Sequence, residues 1–227
     1  MPSALRQTLT IAAKDLRAEL RTKEALNASL AFSLVILLLF SFAFDPTGDE
    51  EIRALSGGLL WIVFAFAGAL ILNRSFAREL PNDCLDALIA SPAPASALFL
   101  GKALANVALL LVVEIICLPV FAIFYNVNLM PQLPALALVM ALTTWALTVI
   151  GTMFSALTVN LRLRELMLPT LVYPMLIPAL MAAIVLTETL VTGQPIGENM
   201  IWIRVLVAFD IIFTLLAVFL VDVVLVG

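Results

Sequence analysis

Six long apolar runs, each close to the length of a helix that crosses a bilayer, dominate the chain. Residues 25–44 hold twenty positions without a charge. As a helix they span about 30 Å, one hydrocarbon core. They end at Asp45-Pro46, followed by Gly48 and the acids Asp49, Glu50 and Glu51. The second run, 54–73, is closed by Arg74 and Arg78. The third runs from about 102 to 125 and carries Glu114 inside it. Residues 126–134 (NVNLMPQLP) hold two prolines and two asparagines and read as a loop. The fourth run, 135–160, ends before Arg162, Arg164 and Glu165. The fifth, 166–187, carries Pro169, Pro174 and Pro178. Residues 188–199, with Gly193, Pro195 and Gly197, read as a loop that could dip back into the membrane. The sixth run, about 200–226, contains Arg204, Asp210 and Asp222. The expected fold is an all-α membrane protein with six transmembrane helices in residues 25–227.

Composition removes the soluble alternatives. Sixty-three per cent of the residues are hydrophobic and 12% charged, against roughly 45–50% and about 25% in soluble domains. There is no histidine, so histidine general bases, catalytic triads and histidine-ligated metals are excluded within the chain. Cys84 and Cys117 are too far apart for a zinc or redox motif. Gly101-Lys102 is followed by Ala103 rather than Ser or Thr, so no phosphate-binding loop is present. The sequence therefore offers no catalytic residue, no metal site and no cofactor of its own. Any ATP must be hydrolysed by another chain. A net charge of −4 with scattered basic residues gives no case for nucleic acid.

Residues 1–24 are expected to form an amphipathic helix and lack the early apolar stretch of a signal peptide. At 100° per residue Leu5, Leu9, Leu16 and Leu20 share an arc of roughly 60°. Arg6, Lys14, Arg17 and Arg21 fall in an adjacent arc of roughly 80°. That pattern suits a helix lying in the membrane interface. It equally suits a lead-in helix whose basic residues only set orientation. With the N-terminus in the cytoplasm, ten of the twelve basic residues fall on the inner side, leaving only Arg53 and Arg204 toward the outside. The positive-inside rule then places both termini in the cytoplasm.

The stretch 74–102 (RSFARELPNDCLDALIASPAPASALFLGK) is the most informative. Asn82 suits a helix N-cap, and Asp83 and Asp86 suit the first turn of a short helix. Leu85, Leu88 and Ile89 make one apolar face, and Ser91-Pro92-Ala93-Pro94 breaks the helix. A short amphipathic helix between two spans, within about 79–94, could dock a soluble motor or lie on the lipid surface.

These stretches carry a resemblance. Gly58-Leu59-Leu60-Trp61, Arg74-Ser75-Phe76 with Glu79, Leu85-Asp86 with Leu88, Ser91-Pro92-Ala93-Pro94, Lys102-Ala103 and Leu168-Pro169 with Pro174 and Pro178 resemble the CcmB family of ABC-type permeases, the B subunit of the cytochrome c maturation haem exporter. Asp83, Cys84 and Asp86 depart from the family's pattern but keep a helix start and an acid. The resemblance covers nearly the whole chain. It implies a permease subunit in the bacterial inner membrane, with a CcmA-like ATP-binding subunit and CcmC-like and CcmD-like membrane subunits as partners. A second copy of the chain and membrane lipid complete the expected partners. The implied substrate is haem, supplied to the periplasmic chaperone CcmE. Glu79, Asp83, Leu85, Asp86, Leu88, Ile89, Ser91 and Pro92 would then form the ATPase-docking loop. With no histidine here, tight ligation of haem iron would fall to a partner. Other readings remain: a six-span ABC permease for a lipid, drug or polysaccharide, or a non-transporting scaffold that couples an ATPase to a partner. No repeat between the halves supports a secondary carrier.

Glu114 and Asp210 lie near the middle of their spans, where a lipid-facing charge costs about 2.5–3.5 kcal/mol. They are expected to face protein or a wet cavity, or to be protonated, as a polar lining of a translocation path, a relay between helices or a buried interhelical hydrogen bond. Pro169, Pro174 and Pro178 are candidate hinges or static kinks.

Overall fold

The computed structural model describes residues 4–44, 50–80, 84, 88, 90, 93–159, 161 and 163–225. Among them are seven long helices: α1 (Ala4–Thr22), α2 (Glu24–Phe44), α3 (Glu50–Leu72), α4 (Ala95–Phe124), α5 (Leu133–Thr158), α6 (Arg164–Val191) and α7 (Met200–Leu225). Single 3-10 turns occupy Ala77–Glu79, Met130–Gln132 and Ile196–Asn199. No strand occurs among the described residues. Helices α2 to α7 are each long and apolar enough to cross a membrane. The protein is an all-helical, multi-pass membrane protein.

The break between α1 and α2 is sharp and local. Lys23 takes a left-handed backbone, φ 56°, which few non-glycine residues adopt. The Glu19 side chain of α1 then caps the next helix, its Oε1 accepting from the Leu26 N–H at 2.9 Å.

Helix α4 begins at Ala95, seven residues before the expected start near 102. Pro94 is its extended N-cap (ψ 144°), and the Ala97 and Leu98 N–H groups bond the Pro94 carbonyl. Lys102 does not mark the edge of this span. It is wholly buried and paired, so the helix runs straight through it.

Helix α6 likewise continues beyond 187 to Val191, into the stretch read as loop. It ends where Gly193 turns left-handed at φ 75°. Pro169, Pro174 and Pro178 all lie inside α6 without ending it. Pro174 and Pro178 sit on its exposed side. The opposite side packs Leu168, Val172, Leu176, Ala179, Ala183 and Leu186 at helical spacing.

The core gathers around α4. Leu110, Val113, Cys117 and Phe121 are fully buried there, against Trp61 and Phe64 of α3, Val139 of α5 and Leu176 of α6. Hydroxyls tie helix to helix, as expected where apolar burial alone drives association weakly. Ser29 donates to the Ala67 carbonyl (3.2 Å), Ser41 to that of Phe124 (3.2 Å) and Ser155 to that of Leu72 (2.8 Å). Outward, α7 presents Ile211, Leu215 and Phe219, an apolar surface suited to acyl chains.

Candidate functional site

At the end of the bundle that carries α1, the chain builds a charged cluster in an apolar setting. Its centre is Lys102, two turns into α4 and fully buried. An ammonium has three donors and no acceptor. Lys102 Nζ uses all three, on Asp15 Oδ2 (3.0 Å), the Ser75 carbonyl (2.9 Å) and Glu79 Oε1 (3.0 Å). It also lies 5.0 Å from the centre of the Phe76 ring. A buried charge is tolerable only when paired and hydrogen-bonded in this way.

Lys14 completes the cluster. Its Nζ lies 2.5 Å from Glu79 Oε1 and 2.9 Å from Asp15 Oδ1. Two ammonium groups thus share two carboxylates. Burial works against the Lys14 charge, but the hydrogen bonds to Glu79 and Asp15 and their negative charges outweigh it. They hold the ammonium above the ordinary lysine value. Around this core, Arg78 pairs with the buried Glu19 and Arg74 pairs with Glu24 at the start of α2. One turn beyond Lys102, the Asn106 amide donates to Ser75 Oγ (3.0 Å) and Thr152 Oγ1 (2.9 Å), bringing in α5.

Helix α1 can reach the cluster because of Gly101. A Cβ there would lie 2.8 Å from Ile11 Cβ and 2.9 Å from the Thr8 carbonyl. The missing side chain lets α1 cross α4 backbone to side chain, with Thr8, Ala12 and Glu19 buried beneath it. The leucine stripe points the other way: Leu5, Leu9 and Leu20 are exposed, and Leu16 packs on the core. Arg6, Arg17 and Arg21 are exposed beside them.

The structure changes the expected role of Glu79. Its side chain does not face outward to receive a soluble partner. It is buried between Lys14 and Lys102, where it shares with Asp15 the compensation of the two cations. Leu88 is helical and half-buried, and Cys84 is helical and exposed. Asp83, Leu85, Asp86, Ile89, Ser91 and Pro92 of the expected docking loop lie outside the described residues. Asp15, Glu19, Ser75, Lys102 and Asn106 were not among the residues singled out from sequence for this site. The signal was present in α1, where positions 8, 12, 15 and 19 fall on one arc beside the leucine stripe.

Deeper in the bundle, Glu114 is fully buried and its Oε1 accepts from the Thr144 hydroxyl at 2.6 Å. Its Oε2 has no hydrogen-bond partner among the described residues, and neither has either oxygen of the buried Asp210. The two acids thus face protein, with no hydrogen bond joining them. Among the described residues no group of three or more His, Cys, Asp or Glu side chains could hold a metal ion. Helices α3 and α6 are tied by Trp61 Nε1, which donates to Thr187 Oγ1 at 2.8 Å. The arrangement offers no nucleophile or acid–base pair. It offers mechanical continuity between α1, the turn after α3, and α4.

Residues 6–225 match the family model described as CcmB protein. A protein named Heme exporter protein B from Rhodobacter capsulatus is 34% identical over 167 residues, 74% of this chain and 76% of that protein. One of the same name from Pseudomonas aeruginosa is 27% identical over 208 residues, 91% and 92% of the two chains. Another from Paracoccus denitrificans is 32% identical over 167 residues, again 74% and 76%.

Proposed function

The chain belongs to the CcmB protein family, and on that premise we propose that it is the membrane-spanning permease subunit of an ABC-type complex that exports or delivers haem for c-type cytochrome biogenesis. The observation that carries this is the match to proteins named Heme exporter protein B, one of them along nine-tenths of the chain. The chain sits in the bacterial inner membrane with both termini in the cytoplasm, as the distribution of its basic residues favours.

In this reading, ATP is hydrolysed by a separate CcmA-like subunit, since this chain has no phosphate-binding loop. That subunit docks on the segment 79–94, with Leu85, Leu88 and Ile89 as its apolar contact and Asp83, Asp86, Ser91 and Pro92 shaping the loop. The segment is bounded by Glu79, inside the charged cluster, and by Pro94, the cap of α4. Force applied to it therefore arrives at the ends of α3 and α4 together. Haem is the substrate, and its iron is held by a CcmC-like partner, because this chain has no histidine. A CcmD-like subunit and a second copy of the chain complete the assembly.

The test is complementation. In a strain deleted for this gene, haem-stained c-type cytochromes should disappear and return with the intact chain. They should stay absent with Leu85→Asp/Leu88→Asp, which should also release the ATP-binding subunit from purified membranes while this chain remains inserted. Undiminished c-type cytochromes in the deletion strain would overturn the assignment. Retention of the ATP-binding subunit by the double variant would overturn the docking surface.

A further inference from the structure

We propose that Lys102 is a positioning residue that joins α1 and the turn after α3 into a single lever, so that α1 moves whenever the ATP-binding subunit moves the 79–94 segment. The inference rests on the ATP-coupling reading above and extends it to a helix that the reading leaves idle.

The geometry points to this in three ways. First, the segment's point of departure is not a free hinge. Ser75 and Glu79, on the short stretch that leads into it, are both bound by the buried Lys102 ammonium. Second, the same ammonium binds Asp15, and the same Glu79 carboxylate binds Lys14, so α1 holds the stretch through two separate carboxylates. Arg78 and Arg74 repeat the connection to Glu19 and Glu24 on either side of Lys23. Third, α1 is seated on α4 at Gly101, the residue next to Lys102, with no room for a Cβ between them.

Separating α1 from the turn would take Asp15 from the fully buried Lys102, Lys14 from Glu79 and Arg78 from the buried Glu19. Tilting all of it together breaks nothing in the cluster. The boundary between this unit and α2 is Lys23, where the backbone leaves the helical region. The outward side of α1, with Leu5, Leu9 and Leu20 between exposed arginines, would then sweep through its surroundings during each cycle. That gives an otherwise peripheral helix a part in the transport stroke.

The experiment uses the intact complex with its ATP-binding subunit, reconstituted in lipid nanodiscs. Spin labels are placed in pairs, with Cys117→Ala removing the buried thiol. One pair joins the native, exposed Cys84 to Met130→Cys, on the exposed loop at the far end of α4. The other, with Cys84→Ser, joins Leu9→Cys on the outer face of α1 to Met130→Cys. With a non-hydrolysable ATP analogue, both distances should shift. Lys102→Met should keep the Cys84 shift and clearly reduce the Leu9 shift, leaving only what Lys14–Glu79 and Arg78–Glu19 still transmit. Should Lys102→Met fail to assemble, Lys14→Met/Asp15→Asn/Glu19→Gln removes the α1 side of the cluster, leaves Lys102 on Glu79 and Ser75, and should give the same split. A Leu9 shift of undiminished size in the assembling variant would overturn the lever. So would a Cys84 shift with no Leu9 shift in the unsubstituted chain. Absence of any nucleotide-dependent shift at Cys84 would overturn the coupling reading itself, and the lever with it. A purely structural role for Lys102 predicts equal loss at both labels.

Discussion

Lys102 Nζ and Glu79 Oε1 are 3.0 Å apart across 23 residues of chain, the lysine wholly buried and the glutamate nearly so. This pair ties the turn after α3 to α4. Because Lys14 and Asp15 join it from α1, three parts of the sequence meet at one electrically balanced point.

Lys102→Met should destabilise the protein by about 3–5 kcal/mol, the range for removing one partner of a buried pair. The cost comes mainly from leaving Asp15 and Glu79 uncompensated. Neutralising them as well, in Lys102→Met/Asp15→Asn/Glu79→Gln, should recover most of the loss, since Lys14 is exposed enough to reach water. Thermal midpoints of the detergent-purified single and triple variants decide it. A triple variant less stable than the single would show that the cluster is not organised around Lys102.

Gly101→Ala should lift α1 from α4. Its Cβ would stand 2.8 Å from Ile11 Cβ and 2.9 Å from a backbone carbonyl, neither of which is a flexible side-chain end. Overpacking of this kind costs about 1–3 kcal/mol. Gly58→Ala is the matched control, because its nearest neighbour would be Ile184 Cγ2 at 3.7 Å, an ordinary contact. Trypsin cleavage within α1 should accelerate for Gly101→Ala and stay unchanged for Gly58→Ala.

Six helices and their order were legible because a span is an average over some twenty residues, and one charge hardly moves that average. The site was not legible for the same reason in reverse. A lysine at the edge of an apolar run looks like the end of a span. What makes Lys102 an interior residue is Asp15, 87 positions away, and Glu79, 23 away. No local window contains those acids. The overrun of α6 past 187 has a similar cause. Glu188 looks like a boundary, yet Thr187 is bound to Trp61 of α3, and the helix stops only where Gly193 permits a left-handed turn. The α1 leucines do not form one surface: Leu5, Leu9 and Leu20 are exposed while Leu16 packs on the core, a division set where α1 crosses α4 at Gly101.

The attachment of α1 should be insensitive to pH until strongly alkaline conditions. The Lys14 ammonium titrates above its ordinary 10.5 in the folded protein. Its contribution is therefore complete below pH 10.5 and is lost as pH rises through the higher folded value. The anisotropy of a dye on Leu9→Cys should be flat from neutral pH up to about pH 10 and fall beyond it. In Lys14→Met that alkaline step should shrink. A fall near neutral pH in the unsubstituted chain would contradict the assignment.

Thr187→Val should weaken the α3–α6 contact by about 1–3 kcal/mol, because the buried Trp61 indole N–H would lose its acceptor. Thr187→Ser keeps the hydroxyl and should hold the wild-type midpoint. Trp145 makes the same kind of bond to Thr214 at 2.9 Å, but there the site is only partly buried. Thr214→Val should therefore cost less than Thr187→Val. Unfolding midpoints of the three variants in one lipid environment test the order.

Glu114→Gln should be close to silent. One carboxylate oxygen accepts from Thr144 at 2.6 Å, and the amide oxygen of glutamine can take that hydrogen bond with the same shape. The other oxygen has no partner among the described residues, so no second bond is broken when it becomes an amide nitrogen. Thr144→Val is the harsher change, since it removes the one donor that reaches this buried acid, at about 1–3 kcal/mol. Combining the two should cost about as much as Thr144→Val alone, because glutamine keeps the acceptor and only the Thr144 change removes the bond. Asp210→Asn disturbs no hydrogen bond of the described structure and should leave assembly intact. Each variant is scored twice, by the abundance of the purified complex and by haem-stained c-type cytochromes in a complemented strain. If Glu114→Gln assembled normally yet lost its cytochromes, the carboxyl group would have a role in transport that an interhelical hydrogen bond cannot supply.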